Sequence, residues 1–229
     1  MTALAFIPAR GGSERVPRKN LRQVGGLTLV ARAIAAAQEA GLHPWVSSED
    51  DDILAHAASL GATLRIRPIG LARSTTLTEP VIQDWWFHLP ASERPVAVVM
   101  LQPTSPLRSG RQVREALELL TETRADSVVS VTVSHAPYFR GTLAPIATGG
   151  LRWTPARLWS ARLRTQDLPM MGVENGAIYA WTRSHWTRTG RRDGGVCVGY
   201  PMDADSGIDV DTEDDLRRAE ALLKAGLGG

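Results

Sequence analysis

The chain has 229 residues, 43% of them hydrophobic, and its 26 lysines and arginines nearly balance 24 aspartates and glutamates for a net charge of +2. That size supports one well-buried domain with room for a small excursion, and the near-neutral balance argues for local anion sites rather than a nucleic-acid-binding surface. The one cysteine, Cys197, excludes an intramolecular disulfide framework or a Cys-rich metal site, and there is no apolar run of about eighteen residues, so a soluble, non-membrane protein of the reducing cytoplasm is expected.

Residues 3–8 read as a buried first strand that runs into Ala9-Arg10-Gly11-Gly12-Ser13-Glu14-Arg15-Val16-Pro17-Arg18-Lys19-Asn20. Two adjacent glycines let backbone N–H groups approach an anion without Cβ obstruction. Arg10, Arg15, Arg18 and Lys19 add charge-assisted donors around it. The loop suits a polyphosphate, although its spacing is neither that of a P-loop nor that of a dinucleotide fingerprint. The plain alternative is a solvated basic turn.

Residues 29–40 carry Val30, Ala33, Ile34 and Ala37 at helical spacing and stop at Gly41; residues 44–47 read as a second strand. Glu49-Asp50-Asp51-Asp52 then places carboxylates where a helix dipole favours them, in a helix stopped by Gly61. A short strand follows at 64–67, and a helix at 78–89 with Thr78 as its expected N-cap. Trp85 and Trp86 adjoin on that helix and can hardly share one buried face, so one of them is expected to meet a partner chain.

Residues 96–101 form a continuous apolar run, as expected of a central parallel strand covered on both faces. It ends in Gln102-Pro103-Thr104-Ser105-Pro106, and chemistry in open α/β sheets collects at such carboxyl ends. A helix over 111–122 and a strand over 127–133 come next. From 135 to 172 the pattern breaks into prolines, glycines, aromatics and arginines, an excursion suited to a lid, a recognition insert or a dimerisation arm. Strands return at 176–181 and 196–200, and a last helix spans 212–225 with Thr212 as cap. Strands alternating with helices give an α/β class with a doubly wound sheet.

Asp209 and Asp211 sit two apart in Ile208-Asp209-Val210-Asp211-Thr212 and would project to one face if extended. Paired hard oxygens suit Mg²⁺, which needs only one or two carboxylates when substrate phosphates supply the rest; the alternative is that Asp211 merely starts the last helix. Glu174 and Asn175 precede the strand that carries Tyr179, a position suited to a polyol or amide substituent. Arg164 and Gln166 could clamp a carboxylate, and Gln102, Thr104 and Ser105 offer neutral donors and acceptors. The five histidines lack metal-ligand spacing, and no Gly-x-Ser-x-Gly element points to covalent catalysis.

With residues 7–20, 101–108, 166–169, 174–179 and 208–212 in this order, the chain resembles the acylneuraminate cytidylyltransferases over nearly its whole length. The resemblance implies a Rossmann-like nucleotidyltransferase over residues 1–229 with a mixed, mostly parallel sheet, and a homodimer formed through the 135–172 excursion. It implies Mg²⁺-dependent transfer of CMP from CTP to the anomeric hydroxyl of a 2-keto-3-deoxy sugar acid, with release of pyrophosphate. Ala9, Arg10, Gly11, Gly12, Ser13, Lys19, Asn20, Arg67, Ala72 and Ser74 would bind the nucleotide, Arg10, Lys19, Asp209 and Asp211 would be catalytic, and the two aspartates would hold the metal. Gln102, Thr104, Arg164, Glu174, Asn175 and Tyr179 would face the acceptor.

Several residues depart from the family pattern, and those of the acceptor half have drifted most. Glu14 stands where a basic residue is common, Ser74 where an aspartate is, and Arg164 is followed by Thr165 instead of a second arginine. Residues 135–140 lack a lysine that some relatives aim at the sugar. An acid other than N-acetylneuraminate is therefore expected: another nonulosonate, a 3-deoxy-octulosonate, or a phosphonate. A nucleotide-binding domain without turnover is the competing reading.

Overall fold

The computed structural model describes residues 2–134, 141–145, 151–155 and 171–226. The chain opens with β1 (Ala3–Pro8), the two-residue strands β2 (Gln23–Val24) and β3 (Leu27–Thr28), helix α1 (Leu29–Glu39) and β4 (His43–Ser48). It continues through α2 (Asp51–Ser59), β5 (Thr63–Ile66), α3 (Thr78–His88), β6 (Ala97–Met100), α4 (Gly110–Glu122) and β7 (Ser127–Ser134). Strands β8 (Gly141–Pro145) and β9 (Leu151–Pro155) precede β10 (Met171–Thr182), α5 (Arg183–Thr189), β11 (Cys197–Met202) and α6 (Glu213–Lys224).

Seven strands form one sheet in the order β11-β7-β10-β6-β1-β4-β5. β1 runs parallel to both β4 and β6, β4 parallel to β5, and β7 parallel to β11. β10 runs antiparallel to β6, with Tyr179 opposite Met100, so the sheet is mixed and mostly parallel. The chain leaves β1 toward β4 on one side and later returns through β6 on the other. That reversal opens a crevice at the carboxyl ends of β1 and β6, the place where open α/β sheets bind ligands.

Strand alternation builds a core on each face of the sheet. Ala5, Ile7, Val99 and Leu101 pack with Val30, Ile34, Val113 and Ala116 from α1 and α4. Phe6, Val98 and Met100 point the other way, into Ile82, Trp85, Trp86, Trp181 and Trp186. Trp85 and Trp86 are 0% and 4% exposed, which corrects the expectation that one of them meets a partner. Phe6 stacks on Trp85 at 4.7 Å between ring centroids, while Arg94 lies over the Trp86 ring. A pocket this rich in aromatics receives adjacent side chains that diverge by about 100° around the helix.

Helix ends follow their side chains. Thr28 caps α1 and Asp50 caps α2, while Ser109–Gln112 and Thr212–Asp215 close reciprocal capping boxes on α4 and α6. Thr78 does not cap α3: Leu77 occupies the cap position without a side-chain bond, and Thr78 is already helical. Val16 and Val24 from the first loop pack with Leu107, Ile208, Val210 and Leu216 in a third cluster that ties the loop to the last helix.

The chain divides into two compact units, one of residues 1–132 and 174–229 and one of residues 133–173. In the second, β8 and β9 pair antiparallel, with Gly141 opposite Pro155 and Leu143 opposite Trp153. The excursion read at 135–172 falls within that unit. No helix among the described residues is long and apolar enough to cross a membrane.

Candidate functional site

The cleft at the sheet's reversal point has a volume of about 500 Å³ and is lined by residues from four separate stretches of the first unit. The loop after β1 contributes Arg10, Ser13, Arg15, Lys19 and Asn20; the stretch after β5 contributes Arg67, Leu71, Arg73 and Ser74; β6 ends in Gln102 and Thr104; the segment before α6 contributes Asp209 and Asp211.

The β1 loop is held by its own side chains. Ala9 N–H donates to Ser47 O at 2.9 Å, and buried Asn20 donates from Nδ2 to Arg10 O at 2.8 Å, closing the loop across ten residues. Arg18 adopts a left-handed backbone, φ 54°, immediately before the 3-10 turn Lys19–Leu21, a conformation unusual for a residue with a side chain. Gly11 N–H is already used: it donates to Glu49 Oε1 at 2.7 Å. Gly11 is required by close approach, because a Cβ there would stand 2.5 Å from Asp50 Oδ2, whereas a Cβ at Gly12 would meet nothing within 4 Å. The two glycines therefore do different things. Both border a shallower depression with Ala72, Glu49 and Asp50, beside the main cleft.

Lys19 Nζ donates to Val210 O at 2.9 Å and to Asp211 Oδ1 at 3.1 Å, and Arg15 pairs with Asp211 Oδ2 at 2.8 Å. The Arg10 and Arg73 guanidinium groups have no ion pair or hydrogen bond among the described residues. Arg67 is 5% exposed and donates to Ser47 Oγ and O at 3.2 and 2.8 Å. Burial lowers its pKa, and the Glu49 charge partly offsets this.

Asp209 faces the open cleft, yet the protein crowded around it raises its pKa; the Thr104 hydroxyl works against this, and the neighbouring Asp211 charge adds to it. The Asp211 charge thus acts on Asp209 within one site. No group of three or more His, Cys, Asp or Glu side chains suited to a metal exists among the described residues. A pair of mutually repelling hard-oxygen donors beside cations fits a Mg²⁺ whose remaining ligands are phosphate oxygens and water.

Glu174, Asn175 and Tyr179 do not line the cleft among the described residues. Asn175 Oδ1 accepts from Ser130 Oγ and Ala177 N, and Nδ2 donates to Thr132 Oγ1 at 3.4 Å, which pins the turn around Gly176. Tyr179 donates to Glu174 at 3.1 Å beneath the Arg192 guanidinium, and burial, helped by the Glu174 charge, pushes its pKa up to about 12. Arg164 lies outside the described residues. The structure adds Thr76, Leu77, Thr78 and Val81 to the cleft wall. Sequence reasoning missed them, and the available signal was the Ser74-Thr75-Thr76 run just ahead of a helix start.

The profile of the cytidylyltransferase family matches residues 4–140. An N-acylneuraminate cytidylyltransferase of Oncorhynchus mykiss is 30% identical over 232 residues, covering 98% of this chain and 51% of that protein. The chain thus spans about half the length of such relatives. The post-translational flagellin modification protein B of Campylobacter coli is 27% identical over 96% of this chain and 94% of its own length. Among solved structures, CMP:2-keto-3-deoxy-manno-octonic acid synthetase complexed with CTP superposes with a TM-score of 0.71 at 16% identity, covering 99% of this chain and 100% of that one. 2-C-methyl-D-erythritol 4-phosphate cytidylyltransferase from Thermus thermophilus gives 0.57 at 18% identity, covering 98% and 100%. At these identities the likeness is one of fold.

Proposed function

The chain belongs to the cytidylyltransferase family, and on that premise we propose that it transfers CMP from CTP to the anomeric hydroxyl of a sialic-acid-like 2-keto-3-deoxy sugar acid. The acceptor oxygen bonds to the α-phosphorus, the bond from that phosphorus to the β-phosphate oxygen breaks, pyrophosphate leaves, and the hydroxyl proton passes to solvent. The observation that carries this reading is the meeting of the β1-loop cations and the Asp209/Asp211 pair in one cleft.

Arg10, Lys19 and Ser13 hold the phosphates, and Arg67 lies toward the base side. Little covalent chemistry falls to the protein in such a displacement, so fixed cations and in-line positioning supply most of the acceleration. Asp209 and Asp211 are the residues that would hold Mg²⁺. When bound, the metal neutralises phosphate charge and makes the α-phosphorus more electrophilic. Asp211, one of the two residues that would hold the metal, also pairs with Lys19 and Arg15, the cations that would face the phosphates. Gln102 and Thr104 meet the acceptor. The names of the relatives support the acid class, and Thr165 following Arg164 favours an acid other than N-acetylneuraminate. A cytoplasmic homodimer paired through residues 135–172 completes the proposal.

The test is pyrophosphate release from each of the four nucleoside triphosphates with Mg²⁺ against a panel of nonulosonic, octulosonic and phosphonic acids. CTP-specific turnover with one acid is expected. CTP binding without turnover on any acid would overturn the transfer reaction and leave the nucleotide site.

A further inference from the structure

Arg108 is 4% exposed, and no carboxylate pairs with it among the described residues. Its Nη1 donates to two backbone carbonyls, Gln102 O at 3.0 Å and Ala177 O at 2.8 Å, while Nε has no partner. Burial alone pulls its pKa down to about 9, so no nearby anion compensates the charge. Burying a cation without a counter-ion is unfavourable. A buried arginine of this kind points to a task in its geometry, and the geometry is a clamp between the turn leaving β6 and the middle of β10.

Gln102 lies in that clamp. Its backbone carbonyl is held by Arg108, and its side chain lies against Gly176, where a Cβ would stand 2.8 Å from Gln102 Oε1. Gly176 has φ +77°, so both its backbone and its missing side chain make room for the Gln102 amide. We propose that Arg108 is a positioning residue that fixes the direction of Gln102 into the cleft, with Gly176 as the seat of the Gln102 amide. That this direction serves the acceptor rests on the cytidylyl-transfer reading; the clamp itself does not.

Two measurements on the whole chain test it. With glutamine side chains ¹⁵N-labelled, the Gln102 amide pair, identified by its loss in Gln102→Asn, is compared with those of Gln38 and Gln112. Arg108→Met should broaden or split the Gln102 pair and leave the other two in place. Arg108→Lys, which keeps a donor of different reach, should give a single but displaced pair. An unmoved Gln102 pair in either variant, or equal changes in Gln38 and Gln112, overturns the proposal. Where Arg108→Met fails to fold, the lysine variant decides on the same comparison.

In turnover with CTP, Arg108→Met should lower kcat/KM for the acceptor at least tenfold, keep CTP affinity within twofold, and be partly rescued by lysine. Equal losses for both substrates would refute the acceptor role. If the unaltered protein turns over no acid, the reaction reading fails, while the amide spectra still decide the clamp.

Discussion

Gly11→Ala and Gly12→Ala should have opposite effects on stability, although the residues adjoin in one loop. A Cβ on Gly11 would lie 2.5 Å from Asp50 Oδ2 and 2.7 Å from Asp50 Cβ. Asp50 cannot simply yield, because its Oδ1 accepts from Asp52 N and Ile53 N at 3.0 Å and caps α2. Overpacking costs about 1–3 kcal/mol and loss of the cap about 1 kcal/mol. Displacing Gly11 N–H from the Glu49 carboxylate weakens a charge-assisted bond as well. The reduced freedom of the unfolded chain returns about 0.4–1 kcal/mol. The net is a loss of about 2–3 kcal/mol, or on the order of 4–12 °C in Tm for a domain of this size. At Gly12 the added methyl meets open space and the backbone is not left-handed, so only the unfolded-state term acts and Tm should rise by about 1–4 °C. Calorimetry of the two variants decides, and equal losses, or a neutral Gly11→Ala, would refute the packing argument.

Asp211→Asn removes the anion shared by Lys19 and Arg15, so affinity for CTP in EDTA should rise several-fold by calorimetric titration while Mg²⁺-dependent pyrophosphate release falls at least a hundredfold; a parallel fall in both would contradict the two roles given to Asp211. Trp85→Ala, at a fully buried site stacked on Phe6, should cost about 3–5 kcal/mol in urea unfolding, and a loss under 1 kcal/mol would mean that the site is not packed as described. The Ser206 hydroxyl and N–H hold the Asp203 carboxyl below the usual carboxylate range. A depressed folded-state pKa gives stability that is present above the unfolded value and lost as pH falls through the folded one, here below about pH 4. Tm against pH should therefore be flatter on the acid side in Asp203→Asn, and identical acid limbs would count against the turn.

Much of the fold was legible because each strand and helix declares its own burial. The unbroken apolar run before Gln102 could belong only to a strand covered on both sides, and Thr212 with Asp215 spells out its capping box. The direction of β10 was hidden, since a strand's own sequence is the same whichever way its neighbours run. Thr78 looked like a cap because the residue type prefers that place, but it is already the first helical residue of α3 and the cap position falls to the unhelpful Leu77. Side-chain partners were the least readable part of the site. Nothing local reveals that Gly11 N–H meets Glu49, 38 residues away, or that Asn175 bonds Ser130 and Thr132. Lys19, Asp209 and Asp211, singled out in the sequence by their charge, do line one cleft.

The Lys19 contacts reach across 191 and 192 positions of sequence to Val210 and Asp211. During synthesis Lys19 therefore emerges well before both of these partners, and its contacts close late. A product interrupted before residue 210 would lack those partners and also Leu216 and Ala219, which with Val210 pack with Val16 and Val24. The cleft is thereby tied to completion of the first unit: its walls and its packing both wait for the residues before α6.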